Sequence, residues 1–572
     1  MRKLIWFLPL LLLVALLSGN LTFAQSRVSS FGCEDPYSLC TERQFNRSFE
    51  YPGRYIGHDE PSLLFYSDER GSGNYNVYRM VLPTDPQVFP TDANRNGTGG
   101  PTVWNFQLHP AFWFGMALCD SESYPLATNK CEPDTDENIF DDPNPKSEEY
   151  IGHHPGAAFL ELQFYPPGWV NSYTQNQYAA ALHINSFNEQ ALGPKGPIDN
   201  NADCQNKVGL EPTIFALLTL DGKSQAPADA LNNDPNKQAV LQGETFLMNP
   251  GDRLVVTIRD TPDGLRTTVE DLTTGQTGFM TASIANGFAQ IIFDPNPTAT
   301  CSSRPYAYHP MYSTSSEHTR VPWAAHSYNV AFSDEIGHFN YCDVQDGSII
   351  PGLLGACISS PVESEASKGV HNEVDDFFCV DTASSTIFGS LAPLGGCLDS
   401  DVDFDGIPYH HAWPGSGPDP YGFSGVPGPV RFTSPKFASK HASKHEKGGD
   451  GGDGGDGENS DLKNFDRVAF EADLPAIEDS SVCDVNTGNG CVNPPPGALF
   501  YPIYSTTEIG EGCWWQLGGS AIPGTKNDFG GSSATEFSTL LGSVYIDGTL
   551  SHPSSILGFE NFHRVLSHNP CR

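Results

Sequence analysis

The chain has 572 residues, with 31 Lys and Arg against 69 Asp and Glu and a formal net charge of −38. A field of that sign repels phosphate backbones and anionic membranes, so nucleic acid and membrane surfaces are excluded as expected partners. The length allows two domains, and 57 Gly and 46 Pro leave little room for ordinary helices, so an all-β fold is expected.

In chain order, Arg2 and Lys3 precede an apolar run from Leu4 to Leu17, and Thr22-Phe23-Ala24 closes it with small residues at the end. This is the layout of a secretory signal peptide over residues 1–24, and the run falls short of the roughly 20 apolar residues of a membrane span. The mature chain is expected to begin at Gln25 and to be secreted, with no membrane span. Without Arg2 and Lys3 it carries 29 bases against 69 acids, a net charge of −40. The 14 cysteines suit an oxidising extracellular compartment. Close spacing marks Cys33–Cys40, Cys119–Cys131 and Cys483–Cys491 as expected local bridges.

Residues 25–49 read as a disulfide-tied lead-in. Leu63–Ser67 and Tyr75–Leu82 read as strands across a polar, glycine-rich loop of the kind that closes a hairpin. An aromatic cluster from His109 to Gly115 follows, then an acidic loop that includes Asp120 and Glu122. In Ala158–Tyr165, Leu160, Leu162 and Phe164 point one way while Glu161, Gln163 and Tyr165 point the other. Ala181–Phe187 repeats the pattern, with His183 and Asn185 opposite Leu182 and Ile184. Thr213–Leu220 is almost continuously apolar and is expected at the centre of a sheet.

The stretch from Asn249 to Phe293 has the most regular pattern. Leu254, Val256 and Ile258 alternate with Val255, Thr257 and Arg259, and Leu265, Thr267 and Val269 repeat the alternation. Thr261-Pro262-Asp263-Gly264 lies between them, proline opening a turn and glycine closing it, so the two runs should pair. A second turn is expected at Thr273-Thr274-Gly275. Pro250-Gly251-Asp252, Leu254–Ile258 and Val269–Gln276 resemble the strand pair of the eqolisins, the glutamic peptidases. That resemblance implies a concanavalin-like β-sandwich (jelly roll) of two antiparallel sheets. The family activates water at acidic pH with a glutamine and a glutamate, the glutamate lying in a strand after this hairpin. Here that strand is Asn286–Phe293, which holds neither glutamate nor tryptophan, so no catalytic residue is transferred.

Ala325–Ser333 reads as a strand leading to a loop with Asp334, Glu335 and His338, completing a sandwich domain over residues 50–345. Residues 346–572 are expected to form a second, disulfide-rich β domain. Within it, about residues 436–460 read as a flexible insertion, a basic stretch followed by Gly-Gly-Asp repeats. Asp399, Asp401, Asp403 and Asp405 precede Gly406 in the manner of the first half of a calcium loop, so calcium is the cofactor expected. The twelfth position counted from Asp401 is Ala412, where an EF-hand has its bidentate glutamate.

No Gly-x-Ser-x-Gly elbow, His-Glu-x-x-His motif or phosphate-binding glycine loop is present, which disfavours serine, zinc-protease and nucleotide chemistry. On a sandwich, the polar faces of the two patterned strands would line a groove. Glu161, Gln163 and Glu335 are the catalytic candidates, and Tyr165, His183 and Asn185 the substrate-binding ones. Two carboxylates about 5–9 Å apart would suit glycoside cleavage, and a glutamine beside a glutamate would suit water activation. The expected partner is an extracellular polymer, a glycan first. An acid peptidase of glutamic type and a non-catalytic matrix or surface protein are the alternatives.

Overall fold

Alternating runs rich in aromatic and β-branched residues form nearly all the regular structure, and every paired strand is antiparallel. The computed structural model describes residues 62–83, 112–123, 131–135, 157–165, 177–186, 188–193, 196–209, 212–232, 243–316, 330–334, 344–345, 357–359, 379–381, 395–397, 430–438, 462–475, 504–510, 512–517, 525–526, 528–529, 540–545 and 556–572. Its first strands are β1 (Ser62–Tyr66), β2 (Tyr75–Val81), β3 (Phe112–Cys119), β4 (Ala157–Tyr165) and β5 (Tyr178–Ser186).

Two sheets of ten strands dominate. The first runs Leu540–Tyr545, Ile556–Leu566, Arg467–Pro475, β1, Ala331–Asp334, β3, β4, β5 and Thr213–Leu217, with Leu247–Met248 also on β5. The second runs Thr277–Thr281, Arg266–Asp271, Arg253–Arg259, β2, Arg431–Phe432, Gly512–Leu517, Tyr504–Ile509 and Thr525–Lys526. Lys436–Ala438 pairs with β2 as well, and Leu462–Asn464 pairs with Lys436–Ala438. Residues before and after 345 are neighbours in both sheets: Ser62 is the register partner of Glu471, and Met80 of Phe432.

β1 and β2 do not form the hairpin expected from the loop between them. β1 lies in the first sheet and β2 in the second, and residues 67–74 carry the chain across. The crossing is tied by buried serines: the Ser72 hydroxyl donates to the Ser67 carbonyl at 3.2 Å, and the Ser315 hydroxyl donates to Ser72 Oγ at 3.1 Å.

One apolar core takes side chains from both sheets. Phe112, Phe114, Leu160, Leu162, Phe164, Leu182 and Ile184 of the first meet Tyr78, Met80, Leu254, Val256 and Ile258 of the second. Ring pairs span the sheets, with centroids 4.4 Å apart for Tyr78–Phe114 and 3.8 Å for Phe332–Phe432. Burying one such ring is worth about 1.5–3 kcal/mol. The alternation read in β4 and β5 is therefore the core-facing pattern of these strands.

The Arg253–Arg259 and Arg266–Asp271 strands pair in the expected register, from Leu254↔Asp271 to Arg259↔Arg266. Their turn closes with Gly264 N–H donating to Thr261 O at 3.1 Å. Gly264 has φ +132°, and a Cβ there would lie 2.4 Å from the Ala282 carbonyl oxygen, so only glycine fits. The next strand in the sheet is Thr277–Thr281. The Asn286–Phe293 stretch instead contributes the end of a 3-10 turn (Ile284–Asn286) and a short strand, Ala289–Ile291, in a separate two-stranded sheet with Ser303–Pro305. Thr213–Leu217 ends its sheet and is not central. It is apolar on both faces because Ile214 and Ala216 join the core while Phe215 and Leu217 pack with Tyr165, Ala179 and Ala181.

Among the described residues, disulfides join Cys119 to Cys131, Cys204 to Cys301 and Cys513 to Cys571. The expected Cys33–Cys40 and Cys483–Cys491 bridges, the signal peptide and residues 439–460 of the insertion lie outside the described residues. The first insertion residues, Lys436–Ala438, are a strand. Among the described residues, no helix is long and apolar enough to cross a membrane.

Candidate functional site

The polar face of β4 points away from the core and lies between β3 and β5. Cross-strand partners in an antiparallel sheet share a face, so register decides which side chains meet. Glu161 is flanked by Gly115 and His183, Gln163 by Trp113 and Ala181, and Phe159 by Ala117 and Asn185. Five of the expected site residues are thereby brought together: Glu161, Gln163, Tyr165, His183 and Asn185.

Donors converge on Glu161 along two chains. In one, the Tyr165 hydroxyl donates to Gln163 Oε1, and Gln163 Nε2 donates to Glu161 Oε2 at 2.6 Å. In the other, the Thr213 hydroxyl donates to Asn185 Oδ1 at 3.0 Å, and Asn185 Nδ2 donates to Glu161 Oε1 at 3.2 Å. Each amide turns its NH2 end to a carboxylate oxygen, and the Tyr165 and Thr213 hydroxyls, which can donate or accept, donate to the carbonyl ends. His183 Nδ1 lies 3.1 Å from Glu161 Oε2. In each of these contacts the carboxylate can serve as acceptor. The Glu161 side chain is 4% exposed and that of His183 18%, so the imidazole is the more accessible side of the cluster.

Aromatic rings frame the cluster. The Trp113 indole lies over Gly115, where a Cβ would come within 2.4 Å of Trp113 Cζ3, so glycine beside Glu161 makes room for the ring. Phe215 closes the other side, its ring centroid 6.1 Å from that of Tyr165 and 6.3 Å from that of His183. Trp113, Thr213 and Phe215 were not anticipated as site residues. The contrast of bulky Trp113 with small Gly115 and Ala117 on one face of β3 is the sequence signal that marks the first. Among the described residues, no carboxylate occupies a register position beside Glu161: its neighbours along, across and diagonal to β4 are Phe159, Gln163, Gly115, His183, Trp113, Ala117, Ala181 and Asn185.

Glu335 and the calcium-loop residues Asp399, Asp401, Asp403 and Asp405 lie outside the described residues. Among the described residues, no group of three or more His, Cys, Asp and Glu is placed to hold a metal ion.

A second carboxylate–glutamine pair sits where β3 ends. Gln290 Nε2 donates to Asp120 Oδ1, and the Glu122 N–H donates to the same oxygen at 2.9 Å. Arg304 Nε donates to Gln290 Oε1 at 2.7 Å, and its terminal nitrogen pairs with Glu122 at 2.7 Å. Burial pushes the Asp120 carboxyl up to about 6, opposed by the hydrogen bonds from the Glu122 N–H and Gln290. Burial, then the Asp120 charge, raises the nearby Tyr306 phenol. On another edge, His309 Nδ1 lies 2.8 Å from Asp260 Oδ1, and that hydrogen bond raises the imidazole above its usual value.

No family model matches the chain, and neither a curated protein nor a solved structure matches it.

Proposed function

We propose that this chain is a secreted hydrolase of an extracellular polymer, with Glu161 as general base and Gln163 as its carboxamide partner on the outer face of a concanavalin-like sandwich. The observation that carries this reading is the 2.6 Å contact from Gln163 Nε2 to Glu161 Oε2 with no carboxylate in any adjacent register position. One carboxylate beside one carboxamide suits water activation better than the paired carboxylates of glycoside cleavage. Peptide-bond hydrolysis under acidic conditions is therefore the reaction favoured, in line with the eqolisin-like strand pair.

In such a step, water displaces one of the donors at Glu161 Oε2 and attacks the scissile carbonyl as the carboxylate takes its proton. Gln163 Nε2 carries two hydrogens. One remains on Glu161 while the other is free to donate to the oxyanion that develops on the carbonyl oxygen. Asn185 and Thr213 hold the carboxylate in place, and substrate approaches past His183.

A second reading, glycan binding, is supported by the partly exposed His183 ring, which lies on one face with the Asn185 amide and the Glu161 carboxylate. The test is to assay the mature chain on denatured protein and on a polysaccharide panel at about pH 4 and 7. Peptide cleavage at the lower pH that falls by about 10²–10⁴-fold in Glu161→Gln is the expected result. Unchanged turnover in a folded Glu161→Gln chain overturns the assignment of the base, and glycan binding without cleavage selects the second reading.

A further inference from the structure

The outward face of the second sheet gathers bases in a chain whose acids outnumber them 69 to 31. Arg259 faces Arg266 directly across two paired strands. Arg79 faces Val255, while Arg253, Val81 and Arg431 stand in one row across three strands. Lys436 faces Val77 on the same side of β2. From Thr277–Thr281 to Lys436–Ala438, the acid sharing this face is Glu270, opposite Val255.

Four of these bases, Arg79, Arg253, Arg266 and Lys436, are the ones offered to a ligand. Among the described residues, Arg79, Arg253, Arg266 and Lys436 form no ion pair, although the same structure pairs Arg304 with Glu122 and Arg467 with Asp68. Arg266 is also held in place. Its guanidinium carbon lies 4.0 Å from the centre of the Phe279 ring, which in turn lies against Gly222. Burial first, and the charge of Arg259 second, pull its pKa below the usual arginine value.

Same-face residues recur about every 6.8 Å along a strand, and neighbouring strands lie about 4.8 Å apart. Arg253 to Arg259 therefore spans about 20 Å of flat surface. Thr257 and Thr268 sit in register between the arginine rows and add hydroxyls. A flat array of spaced guanidinium forks suits an extended polymer with an anion on successive units. Duplex nucleic acid concentrates its phosphates far more densely, about one charge per 1.7 Å of axis, than this array spaces its guanidinium groups.

We propose that this face of the second sheet binds an anionic polysaccharide, its carboxylate or sulfate groups pairing with Arg79, Arg253, Arg266 and Lys436.

The experiment measures binding of the full mature chain, at about 50 mM salt, to polygalacturonate, a sulfated galactan, dextran and duplex DNA. The expected result is binding to at least one of the two anionic glycans at least tenfold tighter than to dextran, and the better of the two identifies carboxylate or sulfate as the group read. The variant Arg79→Glu/Arg253→Glu/Lys436→Glu should lose at least tenfold in that affinity, while Lys207→Glu, on an exposed helix elsewhere, should not. If the triple variant fails to fold, Arg79→Glu alone carries the test, with a loss of at least threefold expected. Absence of binding to both anionic glycans, equal loss in Lys207→Glu, or no loss in the Arg79 variants overturns the proposal. Equally tight binding of DNA with the same arginine dependence also overturns it, leaving an unselective polyanion surface.

Discussion

Asp120 and Glu161 each accept a hydrogen bond from a glutamine amide, and the two sites part company at the amide's other end. At Asp120, Gln290 Oε1 is taken by Arg304, which also pairs with Glu122, and the Cys119–Cys131 disulfide anchors the chain beside it. At Glu161, Gln163 Oε1 is taken by the neutral Tyr165 hydroxyl, and no Arg or Lys occupies a register position around the carboxylate. The first arrangement supplies a counter-charge and shuts the carboxylate away, which suits a structural tie. The second leaves a carboxylate held by neutral amides, with a partly exposed imidazole as its accessible neighbour. A glutamine beside an acid is thus no mark of chemistry by itself; the difference lies in what the amide's other end meets, an arginine at Asp120 and a phenol at Glu161.

The sharpest way to break this contrast is Glu161→Gln, with the expected loss of about 10²–10⁴-fold in turnover and a stability loss of no more than about 1–3 kcal/mol. The stability loss follows because the NH2 end of the new amide meets one of the donors now on the carboxylate. A large stability loss at position 161 with little effect on turnover would make the two sites equivalent. Next in size is Asp120→Asn. Asp120 has its folded value raised from 3.8 to about 6, so the native state holds the proton more firmly than the unfolded chain between those values. The stability this proton confers is complete below the unfolded value and is lost as pH rises through the folded one. Asp120→Asn is expected to match the parent near pH 3.5 and to exceed it at pH 7 by on the order of 3 kcal/mol, read by denaturant unfolding at a series of pH values. His309, also raised, acts in the same direction, its contribution present below the ordinary histidine value and lost as pH rises through the raised one.

A smaller effect is expected for Gln290→Ala, which leaves Asp120 and Arg304 each short of a partner. It should lower stability by about 1–3 kcal/mol in a denaturant melt while turnover stays at the parent level. The smallest concerns Thr213→Val, which removes the hydroxyl that orients Asn185. A neutral hydrogen bond contributes about 0.5–1.5 kcal/mol, so turnover should fall by roughly two- to tenfold, with the melting temperature nearly unchanged. A wholly structural Thr213 would instead move the melt and spare kcat.

The faces of β4 and β5 were legible because strict alternation reports which side of a strand is buried, without any knowledge of its partners. The same reasoning recovered the pairing from Leu254 to Arg259, where the proline–glycine turn sets the register. Trp113 and Thr213 were harder to find. Their place beside the cluster depends on which strands flank β4 and β5, and that information is not local. The Thr213–Leu217 stretch shows the limit of composition: two apolar faces can mean a central strand, or an edge strand with a packed outer face. Asp120 and Gln290, 170 residues apart, carry no pattern that predicts their meeting. The crossing between β1 and β2 was misread because a polar, glycine-rich loop serves a hairpin and a change of sheet equally well.

β1 has a consequence for the order in which this protein is built. Its edges are closed by Ala331–Asp334 on one side and Arg467–Pro475 on the other, and just beyond it Asp68 meets Arg467 across 399 residues. A chain made from its N-terminus must carry β1 with an open edge until most of its length has been synthesised. Assembly of the first sheet is therefore a late and slow event dominated by distant contacts. Any product ending before residue 467 would present that edge to other chains.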